Sequence, residues 1–476
     1  MTEPALVIVH YHLRPGGVWQ VIRTTSKALT RAGVPHLILS GETTEYGNDL
    51  PIRTVAGLDY STAAPGEHST TELVGRLRSA VVDHFGEGPV VWHFHNPCLG
   101  KNPTLSSAVG IMAASGEAMI LQHHDLAEDG RPENLKALDS MDELYPITPR
   151  VIHAFINSRD LRRFIKAGLP AEQGTVLPNP LSPNSPLPPS DSEHPVVFQP
   201  VRAIRRKNIG ETILLAAAAP QGARFAISRA PDQPRWQTAY REWTQFAAEF
   251  ELPLDFDVSD RIPAPGTDSR TFNAWLERST HLLTTSISEG FGLAFIESLA
   301  LGRPLIGRRL PEIDTDLPDH PTDRLYESLR VPSDWLDTDL LHSQIREALK
   351  LAGLPSDPDA IHSALGGDDG VDFGRLSEDM QRAVIRAWLS GRRGITAVDR
   401  LGSLPLETWL LLNLENRSAA DPNHQLDRYR AEFLAESLAQ HATRLLAEAP
   451  APIRHLDRSA VIEQFRNPAD FRFLKS

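Results

Sequence analysis

The sequence has little cysteine, no long apolar run and too few basic residues for several classes of protein. Its single cysteine, Cys98, excludes an internal disulfide framework and indicates a reducing compartment. No apolar stretch approaches the roughly 18 residues of a membrane-spanning helix. The amino terminus has neither a basic leader nor an apolar run long enough for a signal peptide. The formal net charge of −13 argues against an extended nucleic-acid interface, which needs a basic surface. We therefore expect a cytoplasmic protein without nucleic-acid partners.

What the sequence does contain is typical of a globular α/β protein. Its 476 residues suggest two or three domains, and 41% of them are hydrophobic and 23% charged. Short continuous apolar runs, each followed by a polar turn and a helical pattern, recur along the chain. Such runs are typical of parallel strands that are buried on both faces of a sheet.

A central stretch, residues 279–304, reads as a buried strand, a tight polar turn and a helix. The turn places Glu289 beside two glycines, where the backbone can approach a ligand closely. A helix with apolar spacing follows over residues 293–301. Ligands of open α/β sheets bind in the crevice outside the carboxyl ends of the strands. We therefore expect Glu289 and Glu297 to face such a crevice.

The spacing Glu289-x7-Glu297, with the intervening GFGL and the trailing ALGRP, resembles the donor-site signature of retaining glycosyltransferases of the GT-B fold, family 4. The resemblance implies that Glu289 lies against the donor sugar and that Glu297 accepts hydrogen bonds from the nucleotide ribose. The turn and the helix start would also contact the donor, since amides at a helix start favour phosphate or hydroxyl oxygens. Their residues are Gly290, Phe291, Gly292 and Leu293. The alternative, a capped helix with exposed carboxylates, explains the two glutamates but not the whole motif.

The first half of the chain opens with a strand, a glycine turn, a helix and a second strand. The strand covers residues 5–9, and Gly16 and Gly17 follow at the position where βαβ units cradle phosphates. The spacing is not GxGxxG, so the dinucleotide-binding fingerprint is absent. The family resemblance implies that Gly16 and Gly17 close over the donor diphosphate; a simple tight turn is the alternative.

Three further strands of this half end in polar residues, which we expect to share one cleft. Their ends read HFHN at 93–96, HHD at 123–125 and NS at 157–158. The series resembles the amino-terminal acceptor domain of the same family. His124 with Asp125 matches the family's His-Asp element, which implies that His124 lies near the donor sugar and takes part in catalysis.

The same histidines allow a second interpretation. His93 and His95 project from one face of a strand. With His123 and His124 they resemble the metal ligands of a metal-dependent hydrolase. No further ligand set occurs at a convincing spacing, and the glycosyl-transfer interpretation explains more of the chain. We therefore expect no metal site.

A proline-rich segment, residues 179–194, marks the boundary between the halves, since it can continue neither a strand nor a helix. The second half opens with a strand that ends in four cations within residues 202–207. In the resembling family an Arg and a Lys five residues later neutralise the donor diphosphate, and Arg202 and Lys207 match that spacing. Val201 and Asn208 stand where the family has glycines, which leaves the loop geometry open.

The predicted architecture is α/β, with two Rossmann-like doubly wound domains facing a central cleft, as in the GT-B fold. The acceptor domain covers residues 1–178, the linker 179–194 and the donor domain 195–400, and a helical tail at 401–476 packs back toward the first domain.

The resemblance implies a retaining, metal-independent hexosyltransferase. Its substrates would be a UDP-, GDP- or ADP-hexose and a small soluble hydroxyl acceptor. It would have no cofactor, and a homodimer is compatible with the sequence. The catalytic residues would be Glu289, His124, Lys207 and Arg202. The alternatives are the metal-dependent hydrolase and a GT-B sugar-nucleotide epimerase or binding protein.

Overall fold

The structure, a computed structural model, describes residues 4–42, 47, 49–61, 66–139, 141, 143–181, 186–317, 324–366, 370–418 and 423–475. The chain divides into two compact units. The first unit comprises Met1–Pro183 and Asp427–Arg466, and the second comprises Asn184–Leu426 and Asn467–Ser476. The proposed linker at 179–194 includes residues 182–185, which lie outside the described residues.

The first unit contains a parallel sheet, which among the described residues has seven strands in the order β3-β2-β1-β4-β5-β7-β8. Up to residue 183 its strands are β1 (Ala5–His10), β2 (His36–Ser40), β3 (Ile52–Thr54), β4 (Val90–His95), β5 (Ala118–His123), β6 (Pro146–Ile147), β7 (Val151–Phe155) and β8 (Gly174–Val176). Its helices there are α1 (Gly17–Arg31), α2 (Glu67–Phe85), α3 (Pro103–Ala114), α4 (Pro132–Ala137) and α5 (Ser158–Lys166).

The second unit contains a parallel sheet in the order β11-β10-β9-β12-β13-β14 and an antiparallel sheet in the order β16-β15-β17-β18, counted over the described residues. Its strands are β9 (Val196–Arg202), β10 (Arg224–Arg229), β11 (Leu254–Asp255), β12 (His281–Thr284), β13 (Leu305–Arg308), β14 (Leu325–Tyr326), β15 (Ser328–Val331), β16 (Val371–Asp372), β17 (Thr396–Asp399) and β18 (Gly402–Pro405). Its helices are α6 (Ile209–Ala218), α7 (Pro234–Glu249), α8 (Phe272–Arg278), α9 (Leu293–Leu301), α10 (Pro311–Asp314), α11 (Thr338–Leu351), α12 (Pro358–Leu365), α13 (Glu378–Leu389) and α14 (Leu406–Glu415).

The carboxyl-terminal region contributes to both units. Its elements in the first unit are α15 (Ala431–Ala447), β19 (Arg454–His455) and α16 (Arg458–Glu463), and β19 pairs with β6. Short 3₁₀ turns complete the chain at Ala171–Gln173, Arg205–Lys207, Ser333–Trp335, Phe373–Arg375, Asn423–Tyr429, Pro468–Asp470 and Phe473–Lys475.

Both faces of the first unit's sheet are covered, because its strands are apolar at successive positions. Leu6 and Ile8 of β1 pack toward one face, where α1 and α15 supply the facing apolar side chains. Val7 and Val9 pack toward the other face against α2 and α3. Burial on both sides makes this a doubly wound sheet.

The second unit is built in the same way around β9. Val197 belongs to a cluster that includes side chains of α6, α11 and α13. The next residue, Phe198, points the opposite way and stacks on Trp275 of α8 with ring centroids 5.9 Å apart. Two parallel sheets covered by helices confirm the predicted α/β class with two Rossmann-like domains.

No helix among the described residues combines the length and the apolar character needed to cross a membrane.

Candidate functional site

Two neighbouring strand ends in the second unit form the base of the site. β9 and β12 are adjacent and parallel, so their carboxyl ends lie at the same edge of the sheet. After β9 the chain makes the 3₁₀ turn Arg205–Lys207 and enters α6 through Asn208, which adopts the left-handed conformation with φ 50°. After β12 it makes the glycine turn that leads into α9.

Polar contacts tie these two turns together. The Thr285 hydroxyl donates to the backbone carbonyl of Lys207 at 2.8 Å and accepts from the Gln199 amide at 2.9 Å. The backbone N–H of Ile287 donates to the carbonyl of Arg206 at 3.0 Å. Two of these contacts join the segment after β9 to the segment after β12, and the third joins β9 itself to that second segment. The cations of one turn are therefore held beside the carboxylate of the other.

Glu289 lies between two of those cations, and we call Arg206, Lys207 and Glu289 the Glu289 cluster. One carboxylate oxygen accepts from the Lys207 ammonium, and the other accepts from Arg206 Nη1 at 2.7 Å. Burial by itself would raise the pKa of Glu289, but the charges of Lys207 and Arg206 outweigh it and lower that pKa to about 2. Burial lowers the pKa of Lys207 from its usual value, and the attraction of Glu289 opposes that change.

The turn after Glu289 has a backbone that requires glycine. Gly292, the residue before α9, adopts the left-handed region with φ 73°, and a Cβ there would lie 2.7 Å from Ile313 Cδ1. Gly290 and Phe291 are half-buried, and Leu293 at the start of α9 is exposed. The turn thus positions the first residues of α9 directly after the Glu289 carboxylate.

Glu297 lies in the second turn of α9. Burial raises its pKa to about 7, and the charge of Lys207 opposes this increase only in part. The charge of Lys207 therefore acts on both glutamates of the sequence motif. Glu289 and Glu297 accordingly lie at the same end of the sheet.

Arg202 lies apart from the Glu289 cluster. It is half-exposed at the end of β9 and pairs with Asp232 at 3.1 Å. Arg206, which the sequence reasoning did not single out, contacts Glu289 instead. The run of four cations in the sequence indicated that one of them could contact Glu289. Spacing alone could not show which of these side chains points toward it.

Gly16 and Gly17 lie in the first unit at the start of α1. Gly16 has an extended backbone, and Gly17 is the first residue of the helix. A Cβ on Gly17 would meet no atom within 4 Å, and one on Gly16 would meet only a carbonyl oxygen at 3.8 Å. The structure therefore provides space for side chains at both positions and does not itself require glycine there.

His124 follows β5 in the first unit. Its Nε2 lies 2.7 Å from Nδ1 of His95, and its backbone N–H donates to the Asn96 side chain at 2.7 Å. Burial, followed by the nearby His93, lowers the pKa of His124 to about 3. The imidazole is therefore neutral at physiological pH.

The other histidines of the hydrolase interpretation contact different partners. His93 Nε2 lies 2.7 Å from the Gln122 side-chain oxygen, and His123 Nε2 lies 3.1 Å from His153 Nδ1. Over the part of the chain that the structure describes, no group of three or more His, Cys, Asp and Glu side chains is arranged to hold a metal ion. The metal-dependent hydrolase is not favoured.

Comparison with known proteins finds similarity in sequence and in fold. No protein-family model matches the chain. Mannosylglucosyl-3-phosphoglycerate synthase of Petrotoga mobilis is 26% identical over an alignment of 344 residues, and the match covers 65% of this chain and 66% of that relative. The similarity thus spans slightly less than two thirds of the relative's length.

Solved structures resemble the whole chain in fold. HepE of Anabaena in complex with UDP-glucose has a TM-score of 0.51 at 13% identity, and the match covers 92% of this chain and 99% of HepE. A glycosyltransferase from Rickettsia africae has a TM-score of 0.52 at 12% identity, covering 94% of this chain and 100% of that one. TarM has a TM-score of 0.52 at 9% identity, covering 93% and 99%. The chain has the GT-B fold.

Proposed function

We propose that this protein is a retaining glycosyltransferase that transfers a hexosyl group from a nucleoside-diphosphate sugar to a hydroxyl acceptor, without a metal ion. The observation that carries the proposal is the Glu289 cluster. It joins two cations and a carboxylate at the carboxyl ends of adjacent parallel strands, where α/β sheets bind ligands. The sequence relative and the fold of the chain support the same activity.

The cations would act on the leaving diphosphate. As that group departs, negative charge develops on its oxygens, and fixed positive charges stabilise it. Lys207 is held in the cluster, and Arg202, half-exposed at the end of β9, would exchange its surface partner Asp232 for a phosphate oxygen. From the first unit, the family resemblance adds the amides of Gly16 and Gly17. Space for side chains at those two glycines supports a role beyond the local fold.

The remaining side chains would position the sugar and the ribose. Glu289 would accept a hydrogen bond from a sugar hydroxyl, and Glu297 would accept from the ribose hydroxyls. His124, which is neutral, would hydrogen-bond the donor sugar rather than supply a proton as an acid.

The transfer itself exchanges one bond for another. The bond between the anomeric carbon and the diphosphate oxygen breaks, and a bond from the acceptor oxygen to that carbon forms on the same face of the sugar. The acceptor's hydroxyl proton passes to the departing phosphate oxygen. The products are therefore a glycoside of unchanged anomeric configuration and a nucleoside diphosphate.

The acceptor is proposed to be small and soluble. The name of the Petrotoga mobilis relative describes the synthesis of a phosphorylated glycoside of glyceric acid, which is a molecule of that class. A GT-B epimerase or a sugar-nucleotide binding protein is the second candidate, because the same donor site would serve either. The intact set of charged residues favours transfer.

The first experiment is a thermal-shift screen of UDP, GDP and ADP, with magnesium or with EDTA. A ligand that binds the native state raises the melting temperature by mass action. We expect one nucleotide to raise it equally in both conditions, which would also identify the base. No shift with any nucleotide would contradict the donor site.

The second experiment measures turnover. Glu289→Ala and Lys207→Ala are expected to lower the rate of nucleoside diphosphate release by roughly 10²-fold or more, as loss of a key charge contact does. Glu347→Ala and Lys350→Ala, at exposed positions of α11, are the matched controls. Release only in the presence of an acceptor separates transfer from epimerisation. Wild-type rates in both site variants would refute the assignment.

A further inference from the structure

A second set of cations in the second unit surrounds a pocket of about 230 Å³ beyond the end of β13. Five arginines line it, and we call this cavity the arginine pocket. They come from the end of β13, from β15, from the 3₁₀ turn Phe373–Arg375 and from the carboxyl-terminal segment: Arg308, Arg309, Arg330, Arg375 and Arg472.

Two of the five arginines are neutralised by carboxylates. Arg308 is buried and makes paired hydrogen bonds to Glu211 and Asp372, at 2.6–2.9 Å. Arg309 pairs with Glu327. These two arginines are therefore explained by the fold itself, because buried charges need partners.

The other three make a different set of contacts. Arg330 donates to the carbonyls of residues 370 and 366, at 3.0 and 3.2 Å. Arg375 donates to carbonyls of residues 363, 364 and 469, and Arg472 to those of residues 469 and 471. Within the described residues, no carboxylate oxygen lies within 4 Å of these three guanidinium groups. Carbonyl contacts satisfy hydrogen bonds, and carboxylates such as Asp372 offset the charges of Arg375 and Arg472 only from beyond ion-pair distance.

The charge balance of the pocket is positive. Against the five arginines it has three lining carboxylates, Glu312, Glu327 and Asp372, and a fourth carboxylate, Glu211, pairs with Arg308 from outside the lining. Burial lowers the pKa of Arg375 to about 10, and repulsion by Arg472 adds to this decrease. Gathering partly buried like charges costs free energy unless an anion offsets them.

We propose that the arginine pocket binds the phosphate group of a small phosphorylated anion. A guanidinium presents a planar pair of donors that matches phosphate oxygens, and three such groups converge here without a carboxylate partner. Ile287 also lines the pocket, so its occupant would lie close to the Glu289 turn. The binding groups are nevertheless separate from Lys207 and Arg202, and the inference does not depend on the proposed function.

The test is calorimetric titration of the full chain with inorganic phosphate, at an ionic strength held constant with chloride. Arg330→Gln and Arg472→Gln are each expected to weaken binding by roughly 10-fold or more, the usual effect of losing a charge-assisted hydrogen bond. Arg346→Gln, at an exposed position of α11, should leave the affinity within about 2-fold of wild type. Absence of binding, or wild-type affinity in both site variants, would overturn the proposal.

Two further measurements use the unaltered chain. Crystals soaked in tungstate, an oxyanion located by its anomalous scattering, should show it within hydrogen-bond distance of Arg330 and Arg472; a peak only elsewhere, or none, would refute the site. Titration with glycerol 3-phosphate identifies the source of the phosphate. Tighter binding than inorganic phosphate assigns the pocket to a phosphorylated metabolite, and equal affinity assigns it to phosphate itself. Affinity for neither contradicts the inference.

Discussion

Replacing Glu289 with glutamine should destabilise the second unit strongly at neutral pH. The substitution keeps the shape of the side chain but removes the charge that faces Lys207 and Arg206. Both Glu289 and Lys207 are largely buried, with side chains 13% and 16% exposed, so water compensates little for the loss. The substitution therefore leaves an unpaired ammonium in a partly buried position.

The size of the effect follows from the pKa of Glu289, which is lowered from 4.5 to about 2. Each pKa unit corresponds to about 1.4 kcal/mol, so the ionised carboxylate contributes about 3 kcal/mol at pH 7. A lowered pKa gives stability that is complete above pH 4.5 and is lost as the pH falls toward 2. At pH 3.5 the same relation leaves about 2 kcal/mol. The difference in the free energy of unfolding between wild type and Glu289→Gln should therefore be smaller at pH 3.5 than at pH 7.

Urea unfolding followed by tryptophan fluorescence measures this difference, because six of the eight tryptophans lie in the second unit. Glu407→Gln is the control, since Glu407 pairs with Arg393 while both side chains are at least 40% exposed. Such a pair is worth about 1 kcal/mol or less. The reasoning would be refuted if both variants lost the same free energy of unfolding, or if the loss for Glu289→Gln were as large at pH 3.5 as at pH 7.

Three other substitutions test the site and its support. Because burial raises the pKa of Glu297 to about 7, calorimetry should show the nucleotide sugar binding roughly 10-fold more tightly at pH 8 than at pH 6, as the ionised fraction grows. Glu297→Gln should abolish this pH dependence of the affinity. If the dependence persists in the variant, a group other than Glu297 is titrating. Gly292→Ala should cost about 1–2 kcal/mol in urea unfolding, because a left-handed backbone penalises a side chain; unchanged stability would contradict the strained turn. Glu211→Gln should cost about 3 kcal/mol, since it breaks the buried pair with Arg308; a loss below about 1 kcal/mol would show that the network tolerates a neutral partner.

The fold could be predicted where the sequence has continuous apolar runs. The runs at 5–9, 90–92 and 118–121 became buried parallel strands, because such runs suit strands covered on both faces. The antiparallel sheet of β15–β18 gave no such signal, since its strands are only two to four residues long. Helical periodicity indicates α15, but the face of the sheet on which a helix packs depends on contacts distant in sequence.

The candidate site could be predicted only as far as motif spacing reaches. The spacing selected Glu289, Glu297 and Lys207, which the structure brings to one end of the sheet. It also selected Arg202, which instead pairs with Asp232. Side-chain direction within the cation run depends on the 3₁₀ turn and on the left-handed residue after it, and a residue pattern does not specify such local geometry.

The Glu289 cluster also determines how a nucleotide-sugar donor would bind under the proposed function. Lys207 and Arg206 both contact Glu289, so a diphosphate would compete with that carboxylate for the same ammonium. Separating Glu289 from Lys207 would lose much of the stabilisation of about 3 kcal/mol that the ionised carboxylate contributes, unless each group gains a new partner. A nucleoside diphosphate offers a partner to Lys207 alone. A complete nucleotide sugar offers phosphate oxygens to Lys207 and a sugar hydroxyl to Glu289, so both members of the opened pair regain a contact. On the proposed function, the arrangement would favour the intact donor over its hydrolysed product, because only the intact donor gives both Lys207 and Glu289 a new partner.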